Sequence, residues 1–339
     1  MSGPTDEAQD DAARLARLRA LEDLDASRAV RVVVDAAHGA ASVLPDVLAG
    51  TPVDVVVLRA APASGAASPA VDAAPAVSSD VLATVGAAVR EHGADVGLAL
   101  DAGGRTLLVV DEEGAPVPTG AVDAVVAVRA VQRARARLGD ARADVVVATT
   151  PLASRAVADL VRAMGATVAP NRPSGPTGST RPADVAALHV LGDGAYGAGP
   201  SDAATASLGG PEAGGSEPGG LDAALHLVAA VAAQALPVSL LAEVHQPYAS
   251  CAVDVPDATA DGRDRVADAY RAWGGAGTVV VDVDARTGDL VADHWDELPS
   301  WWFALRRGPR GLRLLAEAAD EDIMEKVRDD VLALLHDDA

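Results

Sequence analysis

The sequence predicts an α/β fold: two βαβ-type domains with mixed or parallel sheets, followed by a small α+β C-terminal domain. Three observations predict it. Short runs of Val, Leu and Ala alternate with helix-period segments up to about Cys251, the pattern of sheets covered by crossover helices. After Cys251 the order changes to strands that include a hairpin, closed by a helix. Half of the 339 residues are hydrophobic (50%), enough for several cores.

Residues 8–24 have helical spacing, with Leu15, Leu18, Leu21 and Leu24 on one face, so 1–25 reads as an N-terminal helix or extension. The first domain, 26–140, opens with the apolar strand Val30–Val34, a loop, and a helix start near His38 to Ser42. Val53–Leu58 is the next strand, and the Ala/Pro/Ser-rich residues 60–79 form a long loop. The helix Asp80–His92, the strands Asp95–Leu100 and Thr106–Val110, and the helix Ala121–Leu138 complete this domain.

The second domain, 141–248, begins with "ADVVVATTPLASRAVADLVRAMGATVAP", a strand, loop, helix and strand. The low-complexity stretch Ser201 to Gly220 is expected to be mobile. The apolar helix Leu221–Leu236 follows and stops at Pro237. In 249–339, "CAVDVP" is a strand, Arg263–Trp273 a helix and "TVVVDVD" a strand. "WWFALRRGPRGLRLLAEA" alternates as a hairpin around Gly308 to Gly311, and Glu321–His336 is the terminal helix.

Charge and composition exclude several functions. The net charge is −22, and Lys326 is the one lysine among 27 basic residues. Nucleic acid and anionic membranes both require basic surface, so neither is an expected partner. Leu221–Leu236 contains Asp222, His226 and Gln234 and is too short to span roughly 20 residues of bilayer. Cys251 stands alone, and Met1 to Asp11 is polar and acidic without an apolar signal core. The expectation is a soluble cytoplasmic protein.

Some motifs mislead. "GDGAYG" (Gly192, Gly194, Gly197) has dinucleotide-loop spacing, but Gly199, Pro200 and the low-complexity stretch follow where a helix is required. The seven histidines are scattered without zinc-ligand spacing, and His226 reads as a helix-face residue. Trp301, Trp302 and Phe303 read first as core packing and second as a ligand platform.

The informative stretch is "GLALDAGGRTLLVVDEEGAPV", Gly97 to Val117. A loop between two apolar strands keeps one carboxylate, Asp101, then Ala102, Gly103, Gly104 and Arg105. Asp111 and Glu112 lie at the far end of the second strand, roughly 17 Å away at about 3.3 Å per residue, and read as a solvated turn.

Four segments in order resemble the α-D-phosphohexomutase family of phosphomannomutases and phosphoglucomutases. They are "VRVVVDAAHGAAS", the Gly97 to Val117 region with its flanks, "PGGLDAALHLVAAVAAQALPVSLLAEV", and "SWWFALRRGPRGLRLLAEAADEDIMEKVRDDVLALL". The resemblance runs from about Leu18 onward and implies the family's second, third and fourth domains. It implies that the chain opens where the second domain begins, without the domain carrying the phosphorylated serine. No serine is followed by histidine, as that family loop requires.

The resemblance also implies a reduced site. In the family's Asp-Gly-Asp-x-Asp-Arg metal loop, Asp101 matches the first Asp and Arg105 the Arg, with one position missing and two carboxylates lost. The implied metal site at Asp101 is a remnant, and no Mg²⁺ or other cofactor is expected. The family's phosphate loop is shortened to Arg306-Arg307-Gly308-Pro309-Arg310-Gly311, with Arg313 following and the Ser and Thr donors gone. A second substrate loop matches "PNRPSGPTGSTRP", offering Ser174, Thr177, Ser179 and Arg181. The implied function is that of a phosphohexomutase-like pseudoenzyme of carbohydrate metabolism, binding a sugar phosphate or a partner mutase chain. The alternative is an active intramolecular phosphotransferase completed by a separate chain that supplies the phosphoserine.

Overall fold

The computed structural model describes residues 22, 28–60, 79–170, 185–192, 195–197, 219–245, 247–273, 279–283, 288–308 and 311–336. Apart from Glu22, the expected N-terminal helix lies outside these residues. So do most of the loop at 60–79, Ser174, Arg181, Arg310 and nearly all of the stretch from Ser201 to Gly220. Residues Met1–His245 form one compact unit and Gln246–Ala339 a second.

In the first unit, β1 (Val30–Asp35), β2 (Val53–Leu58) and β3 (Val96–Leu100) run parallel in the order β2-β1-β3. β4 (Leu107–Val110) returns antiparallel along β3. A short 3₁₀ turn at Ala40–Val43 and α1 (Leu44–Leu48) carry the chain from β1 to β2. α2 (Ser79–His92) packs Val85, Ala88 and Val89 on Val33, Ala99 and Val110. Val32, Val33 and Val34 are all 0% exposed, so consecutive residues of β1 are covered on both faces. That explains an unbroken apolar run where a half-exposed strand would alternate.

The same wiring occurs again. β5 (Val145–Thr149), β6 (Thr167–Pro170) and β7 (Val185–Gly192) are parallel in the order β6-β5-β7, with β8 (Ala195–Gly197) antiparallel beside β7. α4 (Arg155–Ala163) joins β5 to β6. Its N-terminus is capped by Ser154, whose hydroxyl accepts the Ala156 N–H at 3.1 Å.

Two helices complete this unit. α3 (Thr119–Leu138) lies against β5, β7 and α4. α5 (Gly219–Ala232) lies against α3, the strands β1, β3 and β4, and β8. α5 is buried around nearly its whole circumference, as a helix without a polar face must be, whereas α3 is buried in its first half and carries Arg129, Gln132, Arg133, Arg135 and Arg137 in its second. α5 ends at Ala232 rather than Leu236, and Pro237 precedes a new helix, α6 (Val238–His245). Proline terminates a helix from inside but is well placed to start one.

In the second unit, β9 (Ala249–Pro256), β10 (Val280–Val283), β11 (Leu290–Asp293), β12 (Trp301–Gly308) and β13 (Gly311–Ala318) form an antiparallel sheet ordered β10-β11-β12-β13-β9. α7 (Ala260–Trp273) and α8 (Glu321–His336) supply Val266, Tyr270, Val327 and Val331 to its core. Trp301, Phe303 and Leu305 alternate into that core. Trp302 is also buried, and its indole N–H donates to the Glu317 carboxylate at 3.2 Å.

Candidate functional site

In a parallel sheet, ligands gather where the strands end at their carboxyl side. At that edge of the first sheet, β1 delivers Asp35, β2 ends before Arg59 and β3 ends before Asp101. Asp35 is 1% exposed. Its Oδ1 and Oδ2 accept the Arg59 Nε–H at 2.8 and 3.0 Å, and Oδ1 also accepts the Ala37 N–H at 3.0 Å. Ala37, His38 and Arg59 all have left-handed backbones, with φ of 47°, 59° and 44°. Such conformations cost non-glycine residues energy and tend to gather at functional edges. The His38 ring bonds the Ala60 carbonyl through Nδ1 at 2.9 Å.

The Asp101 loop is internally satisfied. Asp101 Oδ1 accepts the N–H groups of Arg105 at 2.7 Å and Thr106 at 2.6 Å. The Gly104 N–H donates to the Asp101 carbonyl at 2.9 Å. The loop is also held from both sides. The Ala40 N–H donates to the Ala102 carbonyl at 2.9 Å, and the Leu221 N–H, at the start of α5, to the Gly104 carbonyl at 3.1 Å. Side chains are excluded at both contacts. A Cβ on Gly39 would lie 2.0 Å from the Ala102 oxygen, and one on Gly220 would lie 2.6 Å from the Gly104 oxygen.

This donor set does not fit Mg²⁺. That ion demands near-octahedral oxygen ligation at about 2.1 Å, whereas Asp101 directs one oxygen to two backbone amides and Asp35 is committed to Arg59. Among the described residues no group of three His, Cys, Asp or Glu side chains is placed to hold a metal ion. Two arginine side chains reach solvent at this edge: Arg105 is exposed, and the Arg59 side chain, paired with Asp35, is 43% exposed.

The far turn departs from its expected solvated state. Asp111 is 9% exposed, and its Oδ1 accepts the Glu113 and Ala115 N–H groups at 3.0 and 2.8 Å. Glu112 caps α6: its carboxylate accepts the Ser239 hydroxyl at 2.5 Å and the Ser239 N–H at 3.2 Å. Partial burial alone would raise the Glu112 pKa, but the Ser239 hydroxyl and backbone hydrogen bonds hold it below the ordinary carboxylate value.

In the second unit Arg306 stands directly across from Arg313, while Arg307 faces Leu312. Opposed residues of an antiparallel pair share a face, so Arg306 and Arg313 point one way and Arg307 the other. Asp254 on β9 bonds Arg313 at 2.9 Å.

A buried cluster in the first unit escaped the sequence reading. Glu22 has a fully buried side chain. It accepts Arg129 Nε and Nη2 of α3 at 3.2 and 2.8 Å, pairs Arg133 Nε at 3.2 Å, and bonds His226 Nδ1 of α5 at 2.7 Å. His226 is thus a buried polar partner, 3% exposed, and not an open helix-face residue. The available signal was an ionisable residue within an otherwise apolar helix.

Residues 14–114 match the family model "Phosphoglucomutase/phosphomannomutase, alpha/beta/alpha domain II". A phosphoglucosamine mutase of Streptomyces avermitilis is 37% identical over 121 residues, covering 35% of this chain and 24% of that protein. The fold is similar to a phosphoglucomutase/phosphomannomutase family protein of Burkholderia thailandensis, with a TM-score of 0.59 at 19% identity over 97% of this chain and 65% of that one. It is also similar to an N-acetylphosphoglucosamine mutase of Aspergillus fumigatus, solved with glucose 1,6-bisphosphate, with a TM-score of 0.53 at 12% identity over 96% and 64%. The chain therefore spans less than two thirds of the length of each of these proteins. Residues 14–114 thus match domain II of the phosphoglucomutase/phosphomannomutase family, and the fold of the chain is similar to that of phosphohexomutases.

Proposed function

We propose that this chain is a non-catalytic phosphohexomutase-like protein of carbohydrate metabolism, acting in the cytoplasm. In this reading it binds a sugar phosphate, or a partner mutase, without turning substrate over. The observation that carries the reading is the state of the Asp101 loop. Phosphoryl transfer relies on neutralising charge with metal and cationic groups held in position. Here Asp101 caps backbone amides, and close backbone approaches at Gly39 and Gly220 hold the loop from both sides. Anion binding is assigned to the arginines. Arg306 and Arg313 face each other across the hairpin, with Asp254 beside Arg313, so that two guanidinium groups share one face where a phosphate could be held bidentately. Arg307, Arg310, Arg105, Ser174 and Arg181 are the further phosphate contacts of this reading.

The test measures turnover of glucose, mannose and glucosamine phosphates with Mg²⁺ and glucose 1,6-bisphosphate, alongside melting with and without Mg²⁺. No turnover and no Mg²⁺-dependent stabilisation are expected. A specific site at a hundredfold excess over Kd would add about 2.7 kcal/mol. Glucose 6-phosphate should bind with a Kd near millimolar, about −4 kcal/mol, and more weakly to Arg306→Ala. Turnover abolished by Asp101→Asn would restore the enzymatic reading, with the phosphoserine supplied by another chain.

A further inference from the structure

The chain is poor in aromatic residues (2%), and all of them except Tyr196 lie at or beyond Tyr248. Most join the core of the second unit. Tyr270 packs edge-on against Phe303 and Trp301, with ring centroids 4.7 and 5.5 Å apart. Trp273, on the last turn of α7, is different: it touches Trp301 and Tyr270 yet remains 62% exposed. A tryptophan left at the surface of a protein this sparing with aromatics calls for an explanation.

Beside it, between α7 and α8, lies a cavity of about 510 Å³. It is a groove open to solvent, and its volume falls in the range of about 300–1,000 Å³ typical of small-molecule pockets. Its aromatic wall is Tyr270, Trp273 and Trp301, and its aliphatic wall is Ile323, Val327 and Leu334 of α8.

The polar groups of this cavity select against an ion. Lys326 and Asp330 both line it, but they pair with each other at 2.7 Å, so neither supplies an uncompensated charge. Burial, with the Asp330 charge adding to it, pushes the Tyr270 phenol well above its ordinary pKa.

We propose that this cavity is a binding site for a neutral, flat, largely apolar ring compound, stacked on Trp273 and held against the aliphatic side chains of α8. The site is independent of sugar-phosphate binding. All four tryptophans lie in this unit, so a bound fluorophore accepts their excitation energy.

The probe is N-phenyl-1-naphthylamine, neutral at pH 7, added to the full chain while tryptophan-sensitised emission is recorded. Saturable binding is expected. Ala333→Trp fills the cavity from an exposed position on α8 and should weaken binding at least tenfold with an unchanged circular dichroism spectrum. Trp273→Ala should weaken binding severalfold. Millimolar glucose 6-phosphate should leave binding unchanged. A control removes the exposed apolar stripe of α6 through Leu240→Ser and Val244→Ser, residues 44% and 68% exposed, and should have no effect. Equal affinity in Ala333→Trp, loss of binding only in the α6 control, or displacement by glucose 6-phosphate would each overturn the proposal. So would a self-association, detected by sedimentation, that competes with the probe, because the occupant would then be a second copy.

Discussion

At the scale of single residues, four carboxylates among the described residues are committed to specific partners. Asp35 is neutralised by Arg59, Asp101 and Asp111 each organise a backbone turn, and Glu22 anchors a buried cluster. Glu22 makes the clearest case, because two arginines and a histidine surround one carboxylate that has lost all contact with water. Removing one partner from a buried ionic group typically costs about 3–5 kcal/mol, since the remaining charges stay desolvated without compensation. Glu22→Gln keeps the shape and removes the charge. It should lower the urea midpoint of the first unit's transition by an amount in that range, and a loss below about 0.5 kcal/mol would mean that solvent already compensates Arg129 and Arg133. In the sequence Asp101 is legible as the position that matches the first Asp of the family's metal loop. Its bonds to two amides are not, because they depend on how the loop folds back. The Glu22 cluster was harder still, since Glu22 and His226 are 204 residues apart.

At the scale of elements, legibility followed length and isolation. Val53–Leu58, the hairpin turning at Gly308 to Gly311, and Glu321–His336 have the predicted limits. The hairpin strands and the terminal helix are long runs with turn or capping residues at their ends, and Val53–Leu58 is a short β-branched run that follows Pro52. β11 was missed because its apolar core, Leu290 to Ala292, is shorter than a recognisable period. α6 was missed because Pro237 was read as a stop. Its N-terminus instead depends on Glu112, which belongs to a turn distant in sequence. An anion there offsets the unsatisfied N–H groups and the positive end of the helix. The pKa of Glu112 is lowered on folding, so its contribution is present above the unfolded value of about 4.3 and is lost as pH falls through the folded value. Wild type should therefore lose more stability than Glu112→Gln between pH 5 and pH 3, about these carboxylate values. If the two melting curves shift in parallel over that range, the cap does not depend on charge.

At the scale of the molecule, the sequence reads as three domains with a change of pattern at Cys251, and the described chain forms two compact units that divide between His245 and Gln246. The two are built differently. The first holds two sheets of identical wiring and depends on contacts far apart in sequence, such as α5 against β1 and β3. The second is one antiparallel sheet under two helices, with a core that runs from Val255 to Leu335. A chain with two such cores need not unfold in one step, and two-state behaviour is reliable chiefly for small single domains. The distribution of tryptophan makes this measurable without labels: Trp273, Trp295, Trp301 and Trp302 all report on the second unit, whereas far-ultraviolet circular dichroism averages over both. Urea unfolding followed by the two signals should give midpoints that do not coincide, and Glu22→Gln should move only the circular dichroism transition. Coincident midpoints that move together in this variant would show that the units fold as one cooperative body, and that the stability of the tryptophan-lined cavity is set by a cluster in the other half of the chain.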